Sequence, residues 1–353
     1  MHFLDPLRIV MFLAVVLNHA QPFADDRSAG DPLAEALFLL SPNGRYLFIT
    51  ITVFLIARSS STSSAMQRVL VLAWPFLVWS AIYAVIDIIG NGMGPDGAWG
   101  LALAIMTGSA GPHLYFVVVT IQLTLLAPLI RALADRSAQR PIALFAVAAI
   151  AQFAVVFLEV ASAGTDFRVA ALCIVYPLYI VGGAVLAANL EAVTAWFRTH
   201  TPQLIFSLTI VGVVYMSTVF TIDEPRSFWA AVLLRSVRAA WNLFVALVSV
   251  AACMRVVSST GRLAAVAKRA GAHMQDLGYG LFLAHFVGLH LVAAAIDPVA
   301  ASLPYALLTV IFWIGGVVAT VCLVLVMRRT PLSRVLTGRR TQYRLAEVRS
   351  LTG

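Results

Sequence analysis

The chain has 353 residues, 61% of them hydrophobic and only 11% charged, with a mean hydropathy of +0.92. A soluble domain carries about 25% charged residues, and a globule in water cannot hide this much apolar surface, so soluble enzymes and disordered binders are excluded. The formal charge of +8 comes from 23 Arg and a single Lys, Lys268; it is confined to short loops between apolar runs, which is the pattern of membrane topology and not of nucleic-acid binding.

The first apolar run covers 4–23. It follows MHFLDPLR, which is not clearly basic, and Asn18-His19-Ala20 lacks the small-x-small pattern of a cleavage site, so an uncleaved first helix is expected. Pro42-Asn43-Gly44 breaks the chain before a short run at 45–57, and a separate interfacial helix is expected within 33–40. The segment RSSSTSSAMQR (58–68) reads as a polar cytoplasmic loop. Further runs at 69–90, 114–131, 141–159, 169–189, 203–222, 236–254, 277–296 and 304–327 complete the series. The expected fold is an all-α, polytopic transmembrane bundle of about ten spans. At roughly 20 residues per span no room is left for a soluble domain. Residues 1–327 are expected to form the integral-membrane domain and 328–353 a basic tail, with no fused extracytoplasmic domain expected. The three cysteines, Cys173, Cys253 and Cys322, lie far apart in apolar runs and read as packing residues.

Ten basic residues between Arg58 and Arg269 fall in loops after the even-numbered spans, and seven more lie between Arg328 and Arg349. The opposite loops are acidic, with Asp26, Asp31, Glu35, Asp96, Glu159, Asp166, Asp223, Glu224 and Asp297 among their residues. The positive-inside rule then places both termini in the cytoplasm. The protein is expected in the cell (inner) membrane.

Ionisable residues inside a span are costly and point to function. The first span carries Leu4-Asp5-Pro6-Leu7-Arg8 and, further on, Asn18-His19. Arg8 and His19 are 11 positions apart, so they fall about 20° apart around a helix and about 16 Å apart along it. Arg8 also fits a snorkelling anchor and His19 an interhelical hydrogen-bonder; the shared face favours a functional pair.

LDPLRIVMFLAVVLNHA (4–20) resembles the opening element of the membrane acyltransferase-3 family, integral enzymes that O-acylate carbohydrates and related acceptors: Leu-Asp-x-x-Arg, then ten residues, then His. Three further stretches are similar to family elements in the family's order: AWPFLVWSAIY (73–83), GPHLYFVVV (111–119) with Tyr115 in place of Trp, and GYGLFLAHF (278–286) with His285 matching a late histidine. The resemblance runs from residue 4 to about 327. It departs in the second span, where the family carries a Ser-Gly pair; here Thr52 stands in its region and the Gly is absent.

The resemblance implies acyl transfer from acyl-CoA, with acetyl or succinyl the expected acyl group, to a hydroxyl of a glycan, exopolysaccharide or glycolipid. No bound cofactor and no metal site is expected. Such transfer needs a base for the hydroxyl proton, a role histidine suits near neutral pH. His19 is the expected general base. Arg8, with its planar fork, is expected to bind the donor's phosphate or acyl carboxylate; Asp5, three residues earlier, could orient it or serve as a helix N-terminal charge. Arg58, Arg68 and Arg131 are expected to contribute to donor binding from the cytoplasmic loops. His113 (otherwise an interfacial belt residue), Arg45, Arg235 and Arg238 are expected on the acceptor side, and the resemblance adds His285. His290 and the aromatics Trp74, Trp79, Tyr83 and Trp99 read as structural or interfacial. The alternative function is a glycan or small-solute transporter or flippase, which should show repeat symmetry and paired broken helices. Neither is evident. A membrane scaffold would need no Arg and His on one face.

Overall fold

The computed structural model describes residues 3–25, 44–59, 64–91, 97–162, 170–222, 227–259 and 261–339. The expected helix within 33–40, the loop acids Asp26, Asp31, Glu35, Asp96, Asp166, Asp223 and Glu224, and the tail residues Arg340, Arg344 and Arg349 lie outside them. Among the described residues all regular structure is helical: α1 Leu4–Asp25, α2 Gly44–Arg58, α3 Ala65–Asn91, α4 Gly97–Thr107, α5 Tyr115–Leu125, α6 Ala127–Gln139, α7 Pro141–Ala161, a short 3-10 turn Cys173–Val175, α8 Pro177–Ala188, α9 Leu190–Thr221, α10 Phe228–Ser258, α11 Arg262–Ala300, α12 Tyr305–Met327 and α13 Ser333–Thr337.

Seven of these, α1, α3, α7, α9, α10, α11 and α12, are long and apolar enough to cross a membrane, and eight spans result if the bent pair α5–α6 counts as one. Outward-facing Ile89, Ile142, Phe206 and Val326 are exposed. Water would not tolerate so much apolar surface; lipid does.

The helices also depart from ten uninterrupted runs. The run at 114–131 is not one straight helix: it breaks between α5 and α6 with a bend of 71°. Pro128 sits at the first turn of α6; it has no N–H to donate, and its ring would collide with the Thr124 carbonyl if the helix continued. The run at 169–189 becomes the 3-10 turn followed by α8, which starts on Pro177, a residue pre-set for a first helical turn. At 15 and 12 residues, α2 and α8 rise only about 22 Å and 18 Å, short of a bilayer core of about 30 Å. Helix α4 was not expected, because its apolar stretch is 11 residues and follows a glycine-rich segment that reads as loop.

The chain divides into two compact units: Met1–Asn43, Val71–Ile105 and Gly261–Gly353 form the first, Gly44–Leu70 and Met106–Thr260 the second. In the first, α1, α11 and α12 pack mutually, with α13 against α11 and α12. Leu7, Leu283, Leu289, Leu308 and Phe312 are fully buried there. Lipid tails are as apolar as these side chains, so helix association rests on close packing and small residues. A side chain at Gly288 would collide with Thr320 and the Gly316 carbonyl, and one at Gly316 with Leu289, so glycine is what lets α11 and α12 approach.

In the second unit α8 packs on α2, α6 and α7, and α9 pairs with α10. A Cβ at Gly183 of α8 would run into the Thr50 carbonyl and Val53 of α2. The close approach to the second span therefore comes from a glycine on α8. Before α5, Gly108 adopts φ +75°, and a Cβ there would meet the Tyr115 backbone. Only glycine makes this turn cheaply, and the turn sets the position of Tyr115.

Candidate active site

Each unit gathers part of the sequence-selected residues. In the first unit, the Arg8 guanidinium donates from Nη1 to Asp5 Oδ1 at 3.0 Å, with the two side chains 23% and 18% exposed. One helical turn separates them, so α1 alone sets this geometry. Helix α11 closes on the same place: a Cβ at Gly271 would collide with Asp5. Arg339 is near enough for its charge to act on Arg8. Arg328, at the end of α12, is 2% exposed and donates to Asp276 at 2.7 Å and to Ser333 at 3.3 Å. The chain after α12 is thereby folded back against α11. A buried guanidinium needs such partners, so Arg328 is committed to this junction and is not a freely solvated charge.

Eleven residues further along α1, the His19 ring lies 5.2 Å, centre to centre, from the His285 ring and 5.5 Å from Phe286, which it meets edge-on. Phe23, His290 and Phe312 extend the ring cluster: Phe23 is 5.0 Å from His290 and 5.6 Å from Phe312. His19 is half-buried and His285 fully buried. His285 Nδ1 is 2.6 Å from the Phe282 carbonyl oxygen. A carbonyl only accepts, so Nδ1 carries the hydrogen and Nε2 presents a lone pair. The helix turn that contains Phe282 thus selects the tautomer.

The other motif aromatics hold this cluster. Tyr83 donates to the Leu283 carbonyl at 2.7 Å, Tyr279 to the Leu72 carbonyl at 2.6 Å, and Trp79 to the Leu336 carbonyl at 2.8 Å. These bonds tie α3 to α11 and to α13, so Trp79 and Tyr83 pack, while Trp74 and Trp99 are exposed. Gln21, two residues beyond His19, is buried with neither amide atom hydrogen-bonded. Sequence reasoning passed over it, although an amide in an apolar span was a signal.

In the second unit, Arg45, Arg235 and Arg238 line one cavity of about 310 Å³. They come from α2 and α10, and the wall is completed by Tyr46, Tyr115, Gln152, Glu159, Tyr176 and Tyr179. Arg45 donates to the Tyr115 hydroxyl at 3.2 Å and lies 5.0 Å from the Tyr46 ring centre. Tyr46 stacks on Tyr179 at 4.4 Å. Arg235 faces Glu159 at 3.9 Å. The tyrosines, Gln152 and the inward role of Glu159 were not selected from the sequence; tyrosines in a membrane protein read as interface belt.

Not every selected residue joins a cluster. His113 is buried two residues before Tyr115 and does not line the cavity. Arg58 is exposed and donates to the Ala187 carbonyl at 3.0 Å, at the end of α8. Arg68 and Arg131 are half-buried on α3 and α6; these three belong to the second unit and Arg8 to the first.

A multi-pass helical membrane protein with an imidazole pair in one unit and a cationic cavity in the other has the means to move a proton and to hold an anion. The family described as "Acyltransferase domain" matches residues 1–329, and the chain belongs to it, as its motifs imply. The protein is therefore an acyltransferase, and the family assigns acyl transfer where the sequence alone left transport as an alternative. Comparison with curated proteins and with solved structures gives no match.

Proposed function

We propose that this acyltransferase moves an acyl group, acetyl or succinyl, from acyl-CoA to a hydroxyl of a glycan, exopolysaccharide or glycolipid. The observation that carries this reading is the His19–His285 pair, formed between α11 and the helix that also bears Arg8. His285 is held by the Phe282 carbonyl with its lone pair on Nε2. In this reading that nitrogen accepts a hydrogen from His19, which leaves the other ring nitrogen of His19 as a base. His19 takes the acceptor's hydroxyl proton, the oxygen attacks the thioester carbonyl, and the carbon–sulfur bond breaks. The proton then passes from His19 to the departing thiolate, giving the ester and CoA thiol. His285, fully buried, acts through His19 and is a positioning residue.

Arg8 binds the donor, oriented by Asp5, in the bidentate manner a guanidinium allows. Arg68 and Arg131 steer the anionic donor by long-range attraction. Arg58, already donating to a carbonyl, has a structural task instead. Completing seven long helices to ten spans takes α2, the α5–α6 pair and α8, with both termini in the cytoplasm of an inner-membrane protein. An impermeant thiol reagent on intact cells reads the orientation: in a protein whose native cysteines are replaced by Ala, Ser64→Cys is shielded and Ser162→Cys reacts. The reaction itself is tested by incubating purified protein with labelled acetyl-CoA or succinyl-CoA and candidate glycans. Label appearing on the glycan is expected; donor consumption with no ester formed on any acceptor defeats the proposal.

A further inference from the structure

The second unit's cavity has a composition that acyl transfer by His19 does not use. Three guanidiniums, from Arg45, Arg235 and Arg238, face one carboxylate, Glu159, around about 310 Å³. Arginine stays charged at any physiological pH, so the cavity carries a cationic excess even with Glu159 ionised. The nearest internal ion pair, Arg235 with Glu159, stands at 3.9 Å, beyond good hydrogen-bond distance. Arg45 Nε and Arg235 Nη1 are buried and make no hydrogen bond within the protein. A buried donor on a charged group that makes no hydrogen bond is expensive; an anion in the cavity relieves that cost at Arg45 and gives Arg235, whose side chain is 37% exposed, a closer partner than Glu159.

Charge is half of the pattern. Gln152 donates its Nε2 hydrogen to the Val175 carbonyl at 3.2 Å, which fixes the amide and leaves Oε1 buried with no hydrogen-bond donor. That oxygen accepts from a hydroxyl and is useless to a bare anion. The stacked Tyr46 and Tyr179 rings, with Tyr115 and Tyr176, line the same cavity and give it apolar ring edges beside phenol hydroxyls. The volume lies at the small end of ligand pockets, about 300–1,000 Å³. An anion, hydroxyls and a compact ring face are together the surface of a sugar that carries a negative charge.

We infer that this cavity binds an anionic sugar unit, with its carboxylate or phosphate ester on Arg45 and Arg235, a hydroxyl on Gln152 and its C–H groups against the lining tyrosines. This rests on the proposed glycan acceptor for its place in the reaction and narrows that acceptor to an acidic one. The binding itself needs no acyl donor, so it is measured separately.

The test uses the full-length protein in nanodiscs of phosphatidylcholine, without acyl-CoA, by titration calorimetry. Glucuronate and glucose 1-phosphate are the two probes, and whichever binds more tightly identifies the charge as carboxylate or phosphate ester. Saturable binding is expected, weakened roughly 10- to 100-fold in Arg45→Gln, the range for losing a hydrogen bond to a charged group. Glu159→Gln, which removes the competing carboxylate, is expected to tighten binding, a gain that a misfolded variant would not show. Gln152→Leu is expected to weaken the sugar probes and leave sulfate, which carries no hydrogen at neutral pH, unaffected. Glucose binding as tightly as glucuronate would overturn the anionic requirement, and inorganic phosphate binding as tightly as glucose 1-phosphate would overturn the sugar. If sugar acids bind as inferred while no glycan is acylated, the cavity assignment stands and the acyl-transfer chemistry falls; acylation of glycans with no binding of either probe gives the reverse.

Discussion

The two units concentrate opposite kinds of polar chemistry. The first brings together imidazoles, His19, His285 and His290, among phenylalanine rings. The second brings together guanidiniums and phenols around a cavity. Imidazole gains and loses a proton near neutral pH; guanidinium never does. The first cluster is thus equipped to shuttle a proton during bond formation, and the second to hold a fixed charge in place. Substitutions in the first should act on turnover and those in the second on acceptor affinity. Removing one side chain at a time tests that division.

The largest effect is expected at His19. His19→Ala should lower turnover by about 10²–10⁴-fold, the usual range for a lost general base, with the protein still inserted and folded. His285→Ala should cost less, on the order of fivefold to tenfold, the worth of one neutral hydrogen bond. It should do so with little change in donor KM, because in the proposed mechanism His285 acts through His19. Turnover of the purified variants, with thermal unfolding as a check on folding, reads both. Near-normal turnover in His19→Ala would leave the imidazole pair a packing feature and erase the contrast between the units.

Arg8 comes next. Arg8→Ala should raise the donor KM roughly 10- to 100-fold, as loss of hydrogen bonds to a charged ligand does. Arg8→Lys should recover only part of it, since an ammonium cannot reproduce a bidentate fork. Equal donor KM for wild type, Arg8→Ala and Arg8→Lys would reduce Arg8 to a helix-end charge paired with Asp5.

Legibility in the sequence followed the same division. Runs of some twenty apolar residues announce helices whatever they pack against, so each expected run has a helical counterpart. The break at Pro128 was hidden because residues 125–130 around it are an unbroken apolar stretch, and α4 because it is short. Arg8 and His19 were legible as a pair because one helix carries both and its geometry is known in advance. His285 is 266 positions from His19, and only the resemblance of its surrounding motif marked it. The cavity was half-legible: Arg45, Arg235 and Arg238 each stood out as charges beside apolar runs. Their convergence with Glu159, Gln152 and the tyrosines depends on α2, α5, α7, α8 and α10 meeting, which leaves no trace in any one segment.

The smallest expected effect separates the arginines from one another. The sequence grouped Arg58 with Arg68 and Arg131 because all three follow even-numbered spans. The structure gives Arg58 a partner that the sequence could not reveal, the Ala187 carbonyl at 3.0 Å. The last four carbonyls of a helix have no partner within it, and a cationic donor there satisfies one of them and complements the helix dipole. Helix α8 is short, carries Gly183 against α2, and sits among α2, α6 and α7, so its end is worth holding. Arg58→Ala should therefore lower stability by about 1 kcal/mol and leave the donor KM within about twofold. Arg58→Lys should restore part of the stability, because an ammonium also donates to a carbonyl. Unfolding of the detergent-solubilised variants gives the first quantity and initial rates against acyl-CoA the second. A raised donor KM with unchanged stability would return Arg58 to the donor and leave the end of α8 without its cap.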